Sequence, residues 1–271
     1  MRGVLMIAAA HLAHVESSNR TEWTEVAMGH ETIGIELFRA AISQEGALDG
    51  NAIMSFSRLM AMYHCAAWQI KTLDMLDDSD ASNSALFEYL YIHRGGCAVM
   101  RTRSKDIKID VPFTCLHRIG GPSTTGCSRP HPDGLPYELG MVLADLGSSL
   151  KPMVELVMDP VDFDAISNAL GALHASFCKI SQSSRCPTAA WDAFDHWPNA
   201  LSDRFCEMVT HKSPVALVIY AHYCVILHYV GRKHWFVSSH GKFLLETITV
   251  ILDGDPCYSL LTWPRAQIGS N

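Results

Sequence analysis

A chain of 271 residues, 48% hydrophobic and only 18% charged, can bury about three quarters of its unfolded surface, in one large domain or two small ones. The formal net charge of −7, with Lys and Arg scattered along the chain, argues against direct nucleic-acid contact, which needs a basic face. Nine cysteines with no C-x-x-C exclude the common zinc ribbons, zinc fingers and redox motifs. They fit reduced, buried thiols in a cytoplasmic protein, or a nuclear one if the chain is a piece of a regulator. Cys115, Cys127 and Cys186 lie in loop-like sequence and would pair only in a secreted protein.

The opening Met1 to Ala10 imitates a short secretory signal, but Leu5, Ala8, Ala9, Leu12 and Val15 continue at helical spacing without a polar cleavage region. The helix is the preferred reading. Thr21 to Ser43 predicts a long helix with Val26, Ile33, Leu37, Ala40 and Ala41 on one face, ended by Gly46 and Gly50. A third helix, Asn51 to Leu73, is expected to turn Ile53, Phe56, Leu59, Met60, Tyr63 and Ala67 inward. After an acidic turn, a fourth runs from Ala85 to about Val99, bent at its end by Gly95 and Gly96.

Between Thr102 and Pro136 the composition shifts to Gly, Pro, Ser and Thr, which predicts a long loop over a cavity mouth. Helical patterns resume at Tyr137 to Leu150 and at Val161 to Ile180, the latter with Phe163, Ile166, Leu170, Leu173 and Phe177 in one stripe. A helix near Ala189 to Phe194 is expected to break at His196-Trp197-Pro198 before another from Ala200 to Thr210. Pro214 to Tyr229 is apolar on nearly every side, as in a helix buried in a bundle or a membrane. Interrupted by His222 and His228 and closed by Gly231-Arg232-Lys233, it falls short of the roughly 20 residues of a spanning helix. The expectation is a central core helix and no transmembrane segment. A basic, aromatic elbow follows, then a second helix beginning near Gly241. With no alternating strand pattern, no repeat and no linker, residues 1–271 read as one all-α domain of about nine or ten helices.

Two groups of residues invite chemistry. Asp74, Asp77, Asp78 and Asp80 bring carboxylates close enough for a Mg²⁺ site that holds a diphosphate. Asp and Ser before a helix are equally ordinary N-caps, the commoner use of such residues. Arg232, Lys233 and Lys242 bracket the elbow, where cations could neutralise a diphosphate or simply face water at helix ends. There is no H-E-x-x-H, no G-x-S-x-G, no P-loop and no dinucleotide fingerprint.

Five segments in order, LMIAAAHLAH, GHETIGIELFRAAI, ALFEYLYIHRGG, AHYCVILHYVGRKHWFVSSHGKFLLETI and WPRAQIG, resemble the C-terminal effector domain of fungal zinc-cluster transcription factors of the sterol uptake control type. The resemblance implies an all-α effector domain with a hydrophobic pocket, which holds ergosterol in the sterol-sensing members. It also carries departures. The family's N-terminal zinc-cluster module has no counterpart here, and Ser238, Ser239 and His240 stand where the family favours glycine and tryptophan.

Three functions stay open. As a stand-alone protein, the domain is expected to serve as a Mg²⁺-dependent sesquiterpene cyclase acting on a prenyl diphosphate such as farnesyl diphosphate. Asp74, Asp77, Asp78 and Asp80 would hold the metal, and Lys242 and Arg232 would take the diphosphate charge. Tyr229, Trp235 and Phe236, in a pocket with Ser238 and His240, would stabilise the carbocation by cation–π attraction. As a piece of a longer chain, it would be a sterol- or lipid-sensing regulatory domain. The third alternative is a non-catalytic protein-interaction module.

Overall fold

The computed structural model describes residues 1–43, 48–73, 86, 88–90, 94, 107–108, 139–155, 159–181 and 189–269. The acidic stretch with Asp74, Asp77, Asp78 and Asp80, and almost all of the 102–136 segment, lie outside the described residues. The fold is all-α: α1 (Arg2–Val15), α2 (Arg20–Ser43), α3 (Gly50–Leu73), α4 (Leu139–Glu155), α5 (Pro160–Ser181), α6 (Ala189–Ala200), α7 (Asp203–Thr210), α8 (Pro214–Gly231), α9 (His240–Ile251) and α10 (Thr262–Gly269). Among the described residues the exception is a two-residue parallel pairing of β1 (Leu48–Asp49) with β2 (Ile107–Lys108), Leu48 opposite Ile107. Contacts gather the chain into two compact units, one of Met1–Ser82 and Tyr91–Gly121, the other of Asn83–Leu90 and Pro122–Asn271. No disulfide forms among the described residues.

In the first unit, α1 and α2 pack on each other and on α3. Small residues make the contact. The buried positions of α1 are Gly3, Met6, Ala9, Ala10 and Ala13, and those of α2 are Ala27 and Gly34. A Cβ at Gly34 would lie 3.0 Å from the Phe56 ring, and one at Gly3 would lie 3.0 Å from Leu59 Cδ1. The large apolar residues that the periodicity groups do not face this contact: Leu5 and Val15 of α1, and Val26, Ile33 and Leu37 of α2, are exposed. The Phe56 and Leu59 side chains of α3 fill the space at Gly34 and Gly3, so close packing there selects small residues on α1 and α2.

In the second unit every residue of α8 except Pro214 and His228 is buried. The helix packs against α5, α6, α7, α9, α10 and the 3₁₀ turns Trp235–Val237 and Pro256–Leu261. Of the described helices it alone is long and apolar enough to cross a membrane, with 89% of that stretch buried inside the protein. α7 starts where Ser202 Oγ accepts the Phe205 N–H at 3.2 Å, an N-cap in the usual sense. The expected break at His196-Trp197-Pro198 does not occur, since α6 runs through Pro198 to Ala200. Proline has no N–H for the carbonyl four residues back. Here that carbonyl, Phe194 O, accepts the Tyr223 hydroxyl of α8 at 2.6 Å, so the helix continues without a lost acceptor.

His222 ties α8 to α10. Its Nδ1–H donates to Val218 O at 2.8 Å, and its ring stacks on Trp263 at 5.5 Å and 10°. Burial pushes its pKa down to about 4, against a smaller opposing effect of the Val218 hydrogen bond. The folded state therefore holds the ring neutral while the unfolded chain protonates below pH 6.5, so unfolded chains bind the extra proton. The stabilisation is complete above pH 6.5 and is lost as pH falls towards about 4. It amounts to about 3 kcal/mol. Burial also lowers the pKa of His14, His64, His196, His228 and His234, which adds to the slope with the same sign. Urea unfolding at pH 7 and pH 4.5 should show this loss, and His222→Phe, which keeps a stacked ring, should flatten the profile.

Candidate functional site

The elbow between α8 and α9 is built by two close approaches. A Cβ at Gly231 would lie 2.7 Å from Val237 O, and one at Gly241 would lie 2.5 Å from Cys224 O. The 3₁₀ turn and the start of α9 thus sit directly on the backbone of α8. That seating decides where each side chain goes. Phe236 is buried, 5.9 Å from the Trp191 ring and edge-on to half-buried Trp235 at 5.9 Å. His240 is fully buried and meets the Tyr89 ring edge-on at 5.5 Å. Tyr229 is buried, with Lys233 Nζ 5.4 Å from its ring centroid, a cation–π contact.

The charges point the other way. Arg232 and Ser238 are exposed. The Lys242 side chain is 69% exposed and reaches Glu246 Oε1 on its own helix at 3.9 Å. Such an exposed pair holds little energy. The structure therefore gathers Tyr229, Phe236 and His240 into packed interior, leaves Trp235 half-buried at its edge, and leaves Arg232, Ser238 and Lys242 in water. Among the described residues no three His, Cys, Asp or Glu side chains converge as metal ligands.

A second constellation, which sequence reasoning did not single out, lies in the first unit. An open groove of about 550 Å³ runs between α2 and α3, within the size range of small-molecule sites. Met28, Ala67 and Ile70 supply apolar wall, and Glu31, Tyr63 and His64 form a polar cluster. The Glu31 carboxylate lies beside the Tyr63 hydroxyl, close enough to shift it, and 3.7 Å from His64 Nε2. Burial pushes the Tyr63 phenol up, and the Glu31 carboxylate pushes it further. Burial lowers the His64 pKa, partly offset by Glu31. The cluster thus holds a neutral phenol and a depressed imidazole beside one carboxylate, able to donate and to accept hydrogen bonds. Tyr63 was expected only as core, and no motif joins it to Glu31. A carboxylate on α2 beside a Tyr-His pair on α3 becomes visible only when the two helices pack.

Comparison with protein-family profiles, with characterised proteins and with solved structures finds no match.

Proposed function

We propose that this chain is a non-catalytic helical effector domain that binds an amphipathic hydrophobic molecule of the sterol or related lipid class. The α2–α3 groove carries the reading. Its apolar wall of Met28, Ala67 and Ile70 suits a hydrocarbon body, and the Glu31, Tyr63 and His64 cluster suits a single hydroxyl at one end. The elbow favours the same conclusion. A sensor needs its aromatics only as packed wall, whereas a cyclase needs Arg232 and Lys242 turned onto an enclosed diphosphate. Both side chains face solvent. The resemblance to zinc-cluster effector domains agrees with a sensing role in the nucleus.

Thermal unfolding of the full chain with ergosterol tests this. A ligand at about 100 times its Kd stabilises by about 2.7 kcal/mol, which should appear as a rise in Tm of several degrees. Glu31→Ala should remove most of the rise, and a sterol esterified at its hydroxyl should give none. Incubation with farnesyl diphosphate and Mg²⁺ should yield no hydrocarbon. A terpene product would overturn the proposal in favour of the cyclase reading, with Asp74, Asp77, Asp78 and Asp80 on the metal.

A further inference from the structure

Of the eleven large apolar side chains exposed among the described residues, eight lie in α1 and α2 or at Met1. The surface that lacks cover is therefore concentrated in the first unit. On α2, at 100° per residue, Val26, Gly29, Ile33, Leu37 and Ala40 fall within a stripe of about 80°. All five are exposed. Glu25, Thr32, Glu36 and Arg39 lie along one flank of this stripe, and neither Glu25 nor Arg39 has an ion-pair partner among the described residues.

We infer that this stripe is the interface of a homodimer in which α2 pairs antiparallel with α2 of a second copy, around a two-fold axis at Ile33. Three features select that occupant. With Ile33 on the axis, Leu37 of each chain falls opposite the partner's Gly29. A Cβ at Gly29 meets nothing within 4 Å in its own chain, so the glycine leaves a hole at helix-surface level that fits a leucine from outside. Val26 falls opposite the partner's Ala40 by the same register, again a large residue against a small one. The flanks decide the direction. In an antiparallel pair each flank meets its own copy, which brings Glu25 within a helical turn of the partner's Arg39, twice by symmetry. A parallel pair would instead set this flank against the partner's opposite flank and keep Glu25 away from the partner's Arg39. An isologous interface of this kind is self-complementary in shape and charge. At 24 residues, α2 is about 36 Å long, and α1, packed on it, adds exposed Val4, Leu5 and Val15 to the same unit's surface.

Sedimentation equilibrium of the full chain should find a species of twice 29.9 kDa. Gly29→Leu fills the hole from an exposed position whose Cβ meets no other part of its own chain within 4 Å, so it should give monomers with unchanged helical circular dichroism. Glu25→Arg and Arg39→Glu should each weaken the dimer, and the two together should restore it. A chain that stays monomeric at every concentration overturns the proposal, as does a dimer that survives Gly29→Leu. Failure of the double charge reversal to restore association overturns the antiparallel register. Glu25 also lines the α2–α3 groove, so ligand stabilisation is scored on Gly29→Leu, which lies outside that lining, and the two proposals then fail independently.

Discussion

Gly241→Val should leave the second unit unable to reach its native packing, and Gly241→Ala should destabilise the protein by about 3 kcal/mol or more, beyond the usual cost of one added methyl group. The reason lies in which atoms the new carbon meets. A Cβ at position 241 would stand 2.5 Å from Cys224 O, 2.6 Å from His228 N and 3.0 Å from His228 Cα. All three are backbone atoms in the middle of buried α8, so no side-chain rotation relieves the contact. α9 would have to withdraw by roughly 1 Å, and a shift of that size forfeits much of the dispersion contact along the seam. Phe243, Leu244 and Ile248, all buried on α9, would lose packing together. Gly147→Ala and Gly171→Ala provide the contrast. A Cβ there meets nothing within 4 Å, so each should be neutral or stabilise by up to about 1 kcal/mol through helix propensity. Urea midpoints of the purified variants check all of these. A Gly241→Ala protein as stable as the Gly147→Ala control would refute the close seating of α9 on α8.

What was legible in the sequence was the element type, and what was not was the direction each element faces. α8 could be read because it is hydrophobic on all sides, so no choice of face was needed. On α1 and α2 the periodicity of large apolar residues points to Leu5, Val15, Val26, Ile33 and Leu37, yet the seam is made by Gly3, Ala9, Ala27 and Gly34. Close helix contact is signalled by what is missing from a side chain, and hydropathy is blind to that. Pro198 was read as a break because the local rule is sound. The Tyr223 hydroxyl that makes it tolerable lies 29 residues from the Phe194 carbonyl it satisfies. The direction of Lys242 had a local clue in Glu246, one helical turn on. The groove cluster had none, since Glu31 and His64 belong to different helices.

Trp197→Ala should cost about 3–5 kcal/mol, the range for removing a fully buried large aromatic. The position justifies the upper half of that range. Trp197 has no exposed surface and sits on α6 where four helices meet. Its Nε1–H donates to Ala169 O of α5 at 3.0 Å. Its ring stacks on Tyr223 of α8 at 4.4 Å, lies 5.5 Å from Tyr220, and meets Phe205 of α7 edge-on at 5.9 Å. Truncation opens a cavity walled by rings that other helices hold in place, so collapse can recover little of it. Trp197→Phe separates the two contributions. It keeps most of the ring contact and loses the indole donor, a change worth about 1 kcal/mol. Added indole should therefore restore part of the lost Tm in the alanine variant and none in the phenylalanine variant, because only the former has room for it. The effect should also reach α6 as a whole: Tyr223 both stacks on Trp197 and caps the Phe194 carbonyl that Pro198 leaves without its helical donor. A Tyr223→Phe, Trp197→Ala double variant should then lose less than the sum of the two singles, since the first change already loosens the wall that the second exposes.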